Sequence, residues 1–577
     1  VVAGEDERGR EVRLGLLALS PLGSRRTTAT LARLLLLAGA LLLAPAGAHA
    51  ATRHTGRLLV TLDRPAGARA AAAVDLEGVR RDGSQIPQLG VMSVKPVGGL
   101  TLAAAAAALR RQPGVARVEL ERRYELRVVP DDPSLTTFET APATPPDTPL
   151  QWWVARTGLP AAWDIERGDG ATVAVIDTGV DGGHPDLAGK IAGAIDNDDT
   201  PGAGSATGDE NGHGTHVASL ACAAGDNGAG IVGAGLNCRL LVIKSDLSDG
   251  SIARSIVQAA DGGADAINMS FGTDGSSPAT RVISDAIDYA VGKDVVLVAA
   301  AADRPVEEQG DPANLLQPSG SGADITAGRG LSVTAANFAD QRAPFAGRGS
   351  QISLAAYGAF DQVVGPAGLI GAFPGNVTQL ETGRTGGLFP EPSCDCRTQI
   401  AGDNRYAYLQ GTSMAAPIVA AIAALARTLN PDTHAADVIR VLKETATRPA
   451  GSGWTPELGW GIVNATAALN AVASIDRRPP TSKLRGPALV RGTRTSKLTW
   501  TGKDVARPKL RASGIAHYDV YRSTNRGRYQ RIKRTTSTSL SVRMRSGSRY
   551  RFYTIAVDKA GNREAVPPKP DLSTRVS

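Results

Sequence analysis

The sequence predicts an α/β protein built on a parallel sheet with helices on both faces, preceded by a small α+β unit and followed by an all-β sandwich. Three observations carry this. Between residues 151 and 475, short β-branched runs that are apolar throughout alternate with Ala-rich helical stretches, the pattern of strands buried on both faces. Residues 51–135 combine strand-like alternation with one helical stretch. Residues 478–577 hold only short strands separated by turn signals. At 577 residues the chain is too long for one compact domain.

At the start, Arg25, Arg26 and Arg33 precede the apolar run Leu34 to Ala44, and Ala48-His49-Ala50 supplies small residues at the spacing a signal peptidase uses. Residues 1–50 therefore read as an upstream extension and signal peptide, cut before Ala51. The apolar run is far shorter than the roughly 20 residues needed to span a bilayer, so no transmembrane anchor is expected in the mature chain. Export implies a secreted, extracellular protein.

In residues 51–135, the run Arg57 to Leu62 alternates, Leu102 to Arg111 is helical, and Gly114 to Leu120 alternates again. Residues 136–150 are rich in Pro, Thr and Asp and read as an exposed linker. The expected strands of the central region are Thr172 to Ile176, Arg239 to Ile243, Ala264 to Met269, Asp294 to Ala299 and Leu331 to Ala335. Its helices are His216 to Ala224, Ile252 to Ala260 and Ser284 to Val291. In such folds the site collects at the carboxyl ends of the strands.

After Arg477-Arg478-Pro479-Pro480 the expected strands are Lys497 to Thr501, Ile515 to Arg522, Arg528 to Ile532, Leu540 to Met544 and Tyr550 to Val557. With the single Trp500 and a Tyr-rich alternation, this segment resembles a fibronectin type III or related immunoglobulin-like module. It is strongly basic: residues 477–577 hold 25 Lys and Arg against 5 Asp and Glu, whereas residues 151–476 hold 19 against 36. A basic module fits an anionic surface such as a cell-envelope polymer, or an acidic substrate, as well as it fits a plain solvated spacer. No RNA-binding signature or sequence-reading helix accompanies the charge, so nucleic acid is not expected.

The four cysteines agree with export. Pairing 222 with 238 and 394 with 396 is the simplest of three connectivities, free buried thiols being the alternative, and the spacings lack the paired C-x-x-C knuckles of a zinc site.

Three segments carry chemistry. Val173 to Gly179 places the carboxylate of Asp177 just past a buried strand. Asn211 to Ala218 places the imidazole of His213 at a glycine-flanked helix entry. Gly411 to Pro417 places the hydroxyl of Ser413 at the start of another helix. Asp-Thr-Gly, His-Gly-Thr-His and Gly-Thr-Ser-Met-Ala-x-Pro, in that order, resemble the subtilisin family of serine proteases over residues 151–475.

The resemblance implies a subtilisin-like parallel sheet and a catalytic triad of Asp177, His213 and Ser413, acting on protein or peptide substrates through an acyl-enzyme without a cofactor. His216, one turn on, reads as a packing residue. Members of the family carry an Asn after Ala-Ala-Gly as a side-chain oxyanion donor; here the matching stretch Val298 to Asp303 ends in Ala302-Asp303. Asp303 is then either a protonation-dependent donor or a solvated loop residue. By the same resemblance Ser270, Phe271 and Gly272 line the pocket for the residue before the cut, with Ala300, Ala301 and Ala302 opposite. Residues 51–135 resemble an inhibitor propeptide, processed within residues 120–150.

The acidic loop with Asp196, Asp198, Asp199, Asp209 and Glu210 is a candidate for structural calcium, with a solvated loop as the alternative. The competing functional class is a catalytically impaired scaffold of the same fold, a reading that Asp303 favours and the intact triad opposes.

Overall fold

The computed structural model describes residues 54–62, 78–122, 130–200, 204–273, 275, 280–361, 364–383, 393–449 and 451–577. The signal-peptide reading of residues 1–50 lies outside them, as do residues 123–129 of the expected processing stretch. The chain forms two units, residues 1–126 and 127–577.

In the first unit, strands β1 (His54–Leu62), β2 (Val79–Ile86), β3 (Val91–Pro96) and β4 (Val115–Arg122) make an antiparallel sheet in the order β2-β3-β1-β4. Helix α1 (Leu102–Leu109) is a run of Ala between two Leu, and the Thr101 side chain accepts from the Ala104 N–H at its N-terminus. Ala105, Ala106 and Leu109 pack on Leu58, Val60, Val94 and Val118. This is an α+β unit; β2 and β3 lie outside the runs picked out from sequence.

The second unit is centred on a seven-stranded parallel sheet. Its strands are β5 (Thr172–Asp177), β6 (Ile191–Asn197), β7 (Arg239–Ser245), β8 (Ala266–Met269), β9 (Val296–Ala300), β10 (Leu331–Ala336) and β11 (Leu354–Tyr357), in the order β11-β10-β9-β8-β5-β7-β6. Strand β5 lies between β7 and β8, so the chain reverses its direction of travel across the sheet there, and a crevice opens at the carboxyl end of β5.

The period of two divides the strand residues between two cores. Val173 and Val175 face α2 (His213–Cys222) and the central helix α5 (Thr412–Leu429), while Ala174 and Ile176 face α3 (Asp249–Asp261) and α4 (Arg281–Gly292). Helix α5 is apolar on nearly every side because it is buried on nearly every side. Among the described residues it is the one helix long and apolar enough to cross a bilayer, and it forms the interior of this unit.

Strands β6 and β11 were not expected. Along β6 residues alternate between partly buried and exposed, as befits an edge strand, and β11 is only four residues long. A side sheet of β12 (Leu369–Ala372), β13 (Arg397–Ile400) and β14 (Asp403–Leu409), in the order β12-β14-β13, packs beside α2.

Most of the stretch 136–150 is exposed, and backbone hydrogen bonds fold it back on itself. Glu139 N–H donates to Thr148 O at 2.8 Å and Leu150 N–H to Thr137 O at 2.9 Å, and Thr148 and Leu150 are buried. Pro and Thr make its turns, as the composition implied. The side chain that holds it down, Tyr408, donates to Glu139 at 3.0 Å from 269 positions away.

The carboxyl-terminal region is a two-sheet all-β structure. It comprises β15 (Thr481–Arg485), β16 (Leu489–Val490), β17 (Arg494–Lys503), β18 (Ile515–Thr524), β19 (Gln530–Thr535), β20 (Ser539–Met544), β21 (Arg549–Asp558) and β22 (Leu572–Val576). The sheets run β15-β17-β20 and β16-β22-β21-β18-β19, closing on Trp500, Val520, Met544 and Phe552. Its β17–β18 loop is bound to the α/β body. Arg507 forms a forked ion pair with Asp432 at 3.0 and 2.7 Å, Lys509 meets Glu166 at 2.8 Å, and Leu510 packs against the main core.

Candidate active site

Asp177 ends β5 with 3% of its surface exposed. Its Oδ1 accepts from the Thr178 N–H at 2.8 Å and from His213 Nδ1 at 2.7 Å, while its Oδ2 is buried with no partner among the described residues. Helix α2 begins at His213 because Gly212 adopts a left-handed φ of 98°, and because Gly214 comes so close to the β5 loop that a Cβ there would lie 2.1 Å from Gly179 O.

Burial works to depress the basicity of His213. The charge and hydrogen bond of Asp177, with the charges of Asp209 and Asp303, outweigh it, and the pKa is pushed up to about 9.

Ser413 is the second residue of α5, at its positive end. Pro417 four residues later has no N–H to give, so the Ser413 carbonyl would lack an intrahelical partner; it accepts from Ser270 Oγ at 2.8 Å instead. In return Ser413 Oγ donates to Ser270 O at 3.1 Å. The Thr412 hydroxyl donates to Ala301 O at 2.6 Å. The proline of the motif thus frees the Ser413 carbonyl for its bond at the end of β8, and with the Thr412 bond at the end of β9 this holds Ser413 at the carboxyl edge of the sheet, where Asp177 ends β5.

Asp303 lies at the start of α5, its Oδ1 accepting from the Thr412 N–H at 2.8 Å. A Cβ on Gly411 would stand 3.1 Å from its Oδ2. Asp303 is exposed to solvent, as the loop alternative expects, although protein atoms crowd its carboxyl group. Desolvation raises its pKa against the opposing pull of the Thr412 hydrogen bonds and of His213.

Of the expected pocket residues, Ser270 is buried and spends its side chain on Ser413, while Phe271 and Gly272 follow it at the end of β8. Ala300 packs into the core beneath the sheet and Ala301 is buried, which leaves Ala302 as the open member of the three. His216 is buried with Nε2 on Leu369 O and Ala407 O at 3.0 and 3.2 Å, and burial pushes its pKa down to about 3, so it stays neutral and acts as packing between α2 and the side sheet. Disulfides join Cys222 to Cys238 and Cys394 to Cys396.

The five acids offered as a calcium loop do not converge. Asp196 and Asp198 accept local backbone N–H groups, Asp199 meets Arg254, and Glu210 pairs with Lys244 at 2.5 Å. Asp209 is buried and holds the histidine loop: it accepts from Thr178 Oγ1 at 2.9 Å, from the Gly212 N–H at 2.8 Å, and from the N–H and hydroxyl of Thr215 at 2.8 and 2.6 Å.

A different group fits a cation better. Asp132 and Asp186 are both fully buried, Asp132 Oδ1 has no hydrogen-bond partner, and burial raises both carboxyls, Asp186 to about 6. Asn227 donates to Asp186 at 3.5 Å. Two buried carboxylates with an orphaned oxygen suit a hard divalent ion. Local pattern does not pair them, because they are 54 positions apart and Asp132 sits in a Pro-Asp-Asp-Pro stretch that reads as a turn.

Asp177 bonded to His213 at the end of β5, with Ser413 tied at a helix start to the end of the adjacent strand β8, is consistent with a serine-type endopeptidase. The chain belongs to the subtilase family, whose sequence profile matches residues 168–461. It is similar to thermitase of Thermoactinomyces vulgaris, 31% identical over 330 residues that cover 55% of this chain and 95% of thermitase. It is 32% identical over 322 residues to the thermophilic serine proteinase of Bacillus sp. (strain AK1), covering 54% of this chain and 66% of that protein. Among solved structures, a protease of Pseudoalteromonas arctica PAMC 21717 covers 56% of this chain and 97% of its own at 27% identity, with a TM-score of 0.46.

Proposed function

We propose that the chain is an exported, propeptide-controlled endopeptidase that hydrolyses protein substrates through an acyl-enzyme on Ser413. The observation that carries this is the 2.7 Å bond between His213 and Asp177, set beside the serine whose helix is bonded to the ends of β8 and β9.

Neutral His213 takes the Ser413 proton as Oγ attacks the scissile carbonyl, and the imidazolium formed is held by Asp177. The tetrahedral oxyanion is met by backbone N–H groups at the start of α5 and by Asp303 when protonated. His213 then returns the proton to the leaving amine, and water reverses the sequence to free Ser413. No cofactor is required. Phe271, Gly272 and Ala302 would border a pocket for an apolar or aromatic side chain before the cut.

Residues 51–135 act as inhibitor and folding aid, a role supported by their α+β architecture. Asp132, Asp186 and Asn227 would hold a structural calcium, which supplies charge compensation rather than chemistry. The carboxyl-terminal sandwich, with its buried Trp500, is read as a fibronectin type III-like module that attaches the enzyme to anionic cell-envelope polymer. Labelling of the purified chain by a fluorophosphonate, lost in Ser413→Ala, is the expected result; absence of labelling in both proteins would leave the scaffold reading.

A further inference from the structure

The basic charge of the sandwich is concentrated on one constructed face. Each of the five acids in residues 477–577 is tied inward. Asp519, Asp558 and Asp571 are buried, Asp504 accepts from the Gly514 N–H at 2.6 Å, and Glu564 accepts from the N–H groups of Ser482 and Ala556. Five acids can compensate only a fraction of the 25 Lys and Arg of this segment.

On the five-stranded sheet, even-numbered residues of β18, β21 and β22 face the core, and odd-numbered ones face outward. On that outer face Asp519, fully buried, holds three guanidiniums: Arg534 at 2.8 and 3.1 Å, Arg563 at 2.9 Å and Arg531 at 3.4 Å. Their side chains remain 53%, 43% and 48% exposed. One carboxylate for three arginines leaves two uncompensated positive charges in fixed positions. Each guanidinium has five N–H donors and spends only some of them on Asp519.

Farther across the sheet, Arg549 stands directly opposite Arg575 on β22, both exposed, and Arg551 is the next outward residue on β21. Like charges directly opposite on neighbouring strands are unfavourable, and a bound anion removes that cost. From Arg534 on β19 to Arg575 on β22 the charges run obliquely, three strand spacings across and six residues along β21, a span of about 25 Å.

We propose that this arginine face binds a linear, phosphate-bearing glycopolymer of the cell envelope, whose regularly spaced anions run obliquely over the strands. The proposal deepens the attachment role given above and rests on the protein being exported. Phosphate groups suit forked guanidinium contacts, and arginines already held in place lose little freedom on binding. A nucleic acid fits less well, because the tyrosines of this face are occupied with one another. Tyr521 stacks on Tyr553 at 4.9 Å, Tyr529 leans on Tyr553 at 4.7 Å, and Tyr553 is only 6% exposed, so few rings are free to stack bases.

The test uses the full chain carrying Ser413→Ala, to prevent self-digestion, and poly(glycerol phosphate) as probe. The triple variant R549Q/R551Q/R575Q is compared with K497Q/K503Q/R543Q, which removes the same charge from the outer face of the three-stranded sheet. The first is expected to weaken binding at least about tenfold and to flatten its salt dependence, and the second less than about threefold. Equal losses in both, no binding by the parent, or tighter binding of single-stranded RNA than of the probe would each overturn the proposal. The same triple variants on the active chain should cleave a small peptide substrate unchanged. That readout shows that they fold and keeps a failure of docking apart from a failure of the protease reading.

Discussion

His213 Nδ1 lies 2.7 Å from Asp177 Oδ1, and the same carboxylate oxygen is fixed by the Thr178 N–H at 2.8 Å. The pair stabilises the imidazolium, and His213 is pushed up to about 9. Only the neutral ring can take the serine proton, so kcat/KM should rise with pH through neutrality, reach half its limit near pH 9 and level off only above that. Asp177→Asn should lower the apparent pKa of that limb and reduce kcat about 10⁴-fold, because the wrong tautomer then faces Ser413. A pH–rate profile of the two proteins checks both parts.

Asp209 acts one step behind the triad. Its carboxylate gathers Thr178, Gly212 and Thr215, so it joins the loop after Asp177 to the start of the histidine helix, and its charge also supports the imidazolium. Asp209→Ala strands buried donors and should cost about 3 kcal/mol of stability, measured by denaturant unfolding in a Ser413→Ala background. In the active chain the acid limb should move to lower pH, a shift that loss of packing alone would not produce.

Chelation separates the two calcium readings. If Asp132 and Asp186 hold the ion, calcium at a hundred times its dissociation constant adds about 2.7 kcal/mol, and removing it lowers the melting temperature. Asp186→Asn should abolish that response, whereas Asp198→Asn with Asp199→Asn should leave it intact. The reverse pattern would return the site to the acidic loop.

What could be read from the sequence was whatever local pattern determines. The buried strands carry their apolar runs in full, and the three active-site segments each hold a glycine or proline whose purpose is local: Gly179 for close approach to Gly208, Gly212 for the turn, Pro417 for the freed carbonyl. Edge strand β6 escaped because its exposed half breaks the apolar run, and β11 because four residues are too few for a period. The link of Glu139 to Tyr408, and of Asp132 to Asp186, depends on pairs far apart in sequence that only the fold brings together. Asp303 could be singled out as a departure, but its bond to the Thr412 N–H could not.

Asp303 sits at the start of α5, where the proposed mechanism develops charge on the substrate oxygen. Ionised, it repels the oxyanion; protonated, it donates. Because burial raises its carboxyl, the protonated form persists to higher pH than for a free aspartate, while His213 must lose its proton for the base to act. The two requirements oppose each other, so the native enzyme works with only part of its molecules in the productive state at any pH. Asp303→Asn supplies a neutral donor throughout and removes one charge that holds the His213 proton. Turnover should therefore rise, by up to about 100-fold on the alkaline side where Asp303 is ionised and by little on the acid side, which flattens the profile. The acid limb should also move to lower pH. Steady-state kcat measured across pH for both proteins tests this: an unchanged kcat on the alkaline side would remove Asp303 from the oxyanion site, leaving the N–H groups at the start of α5 to stabilise the intermediate alone.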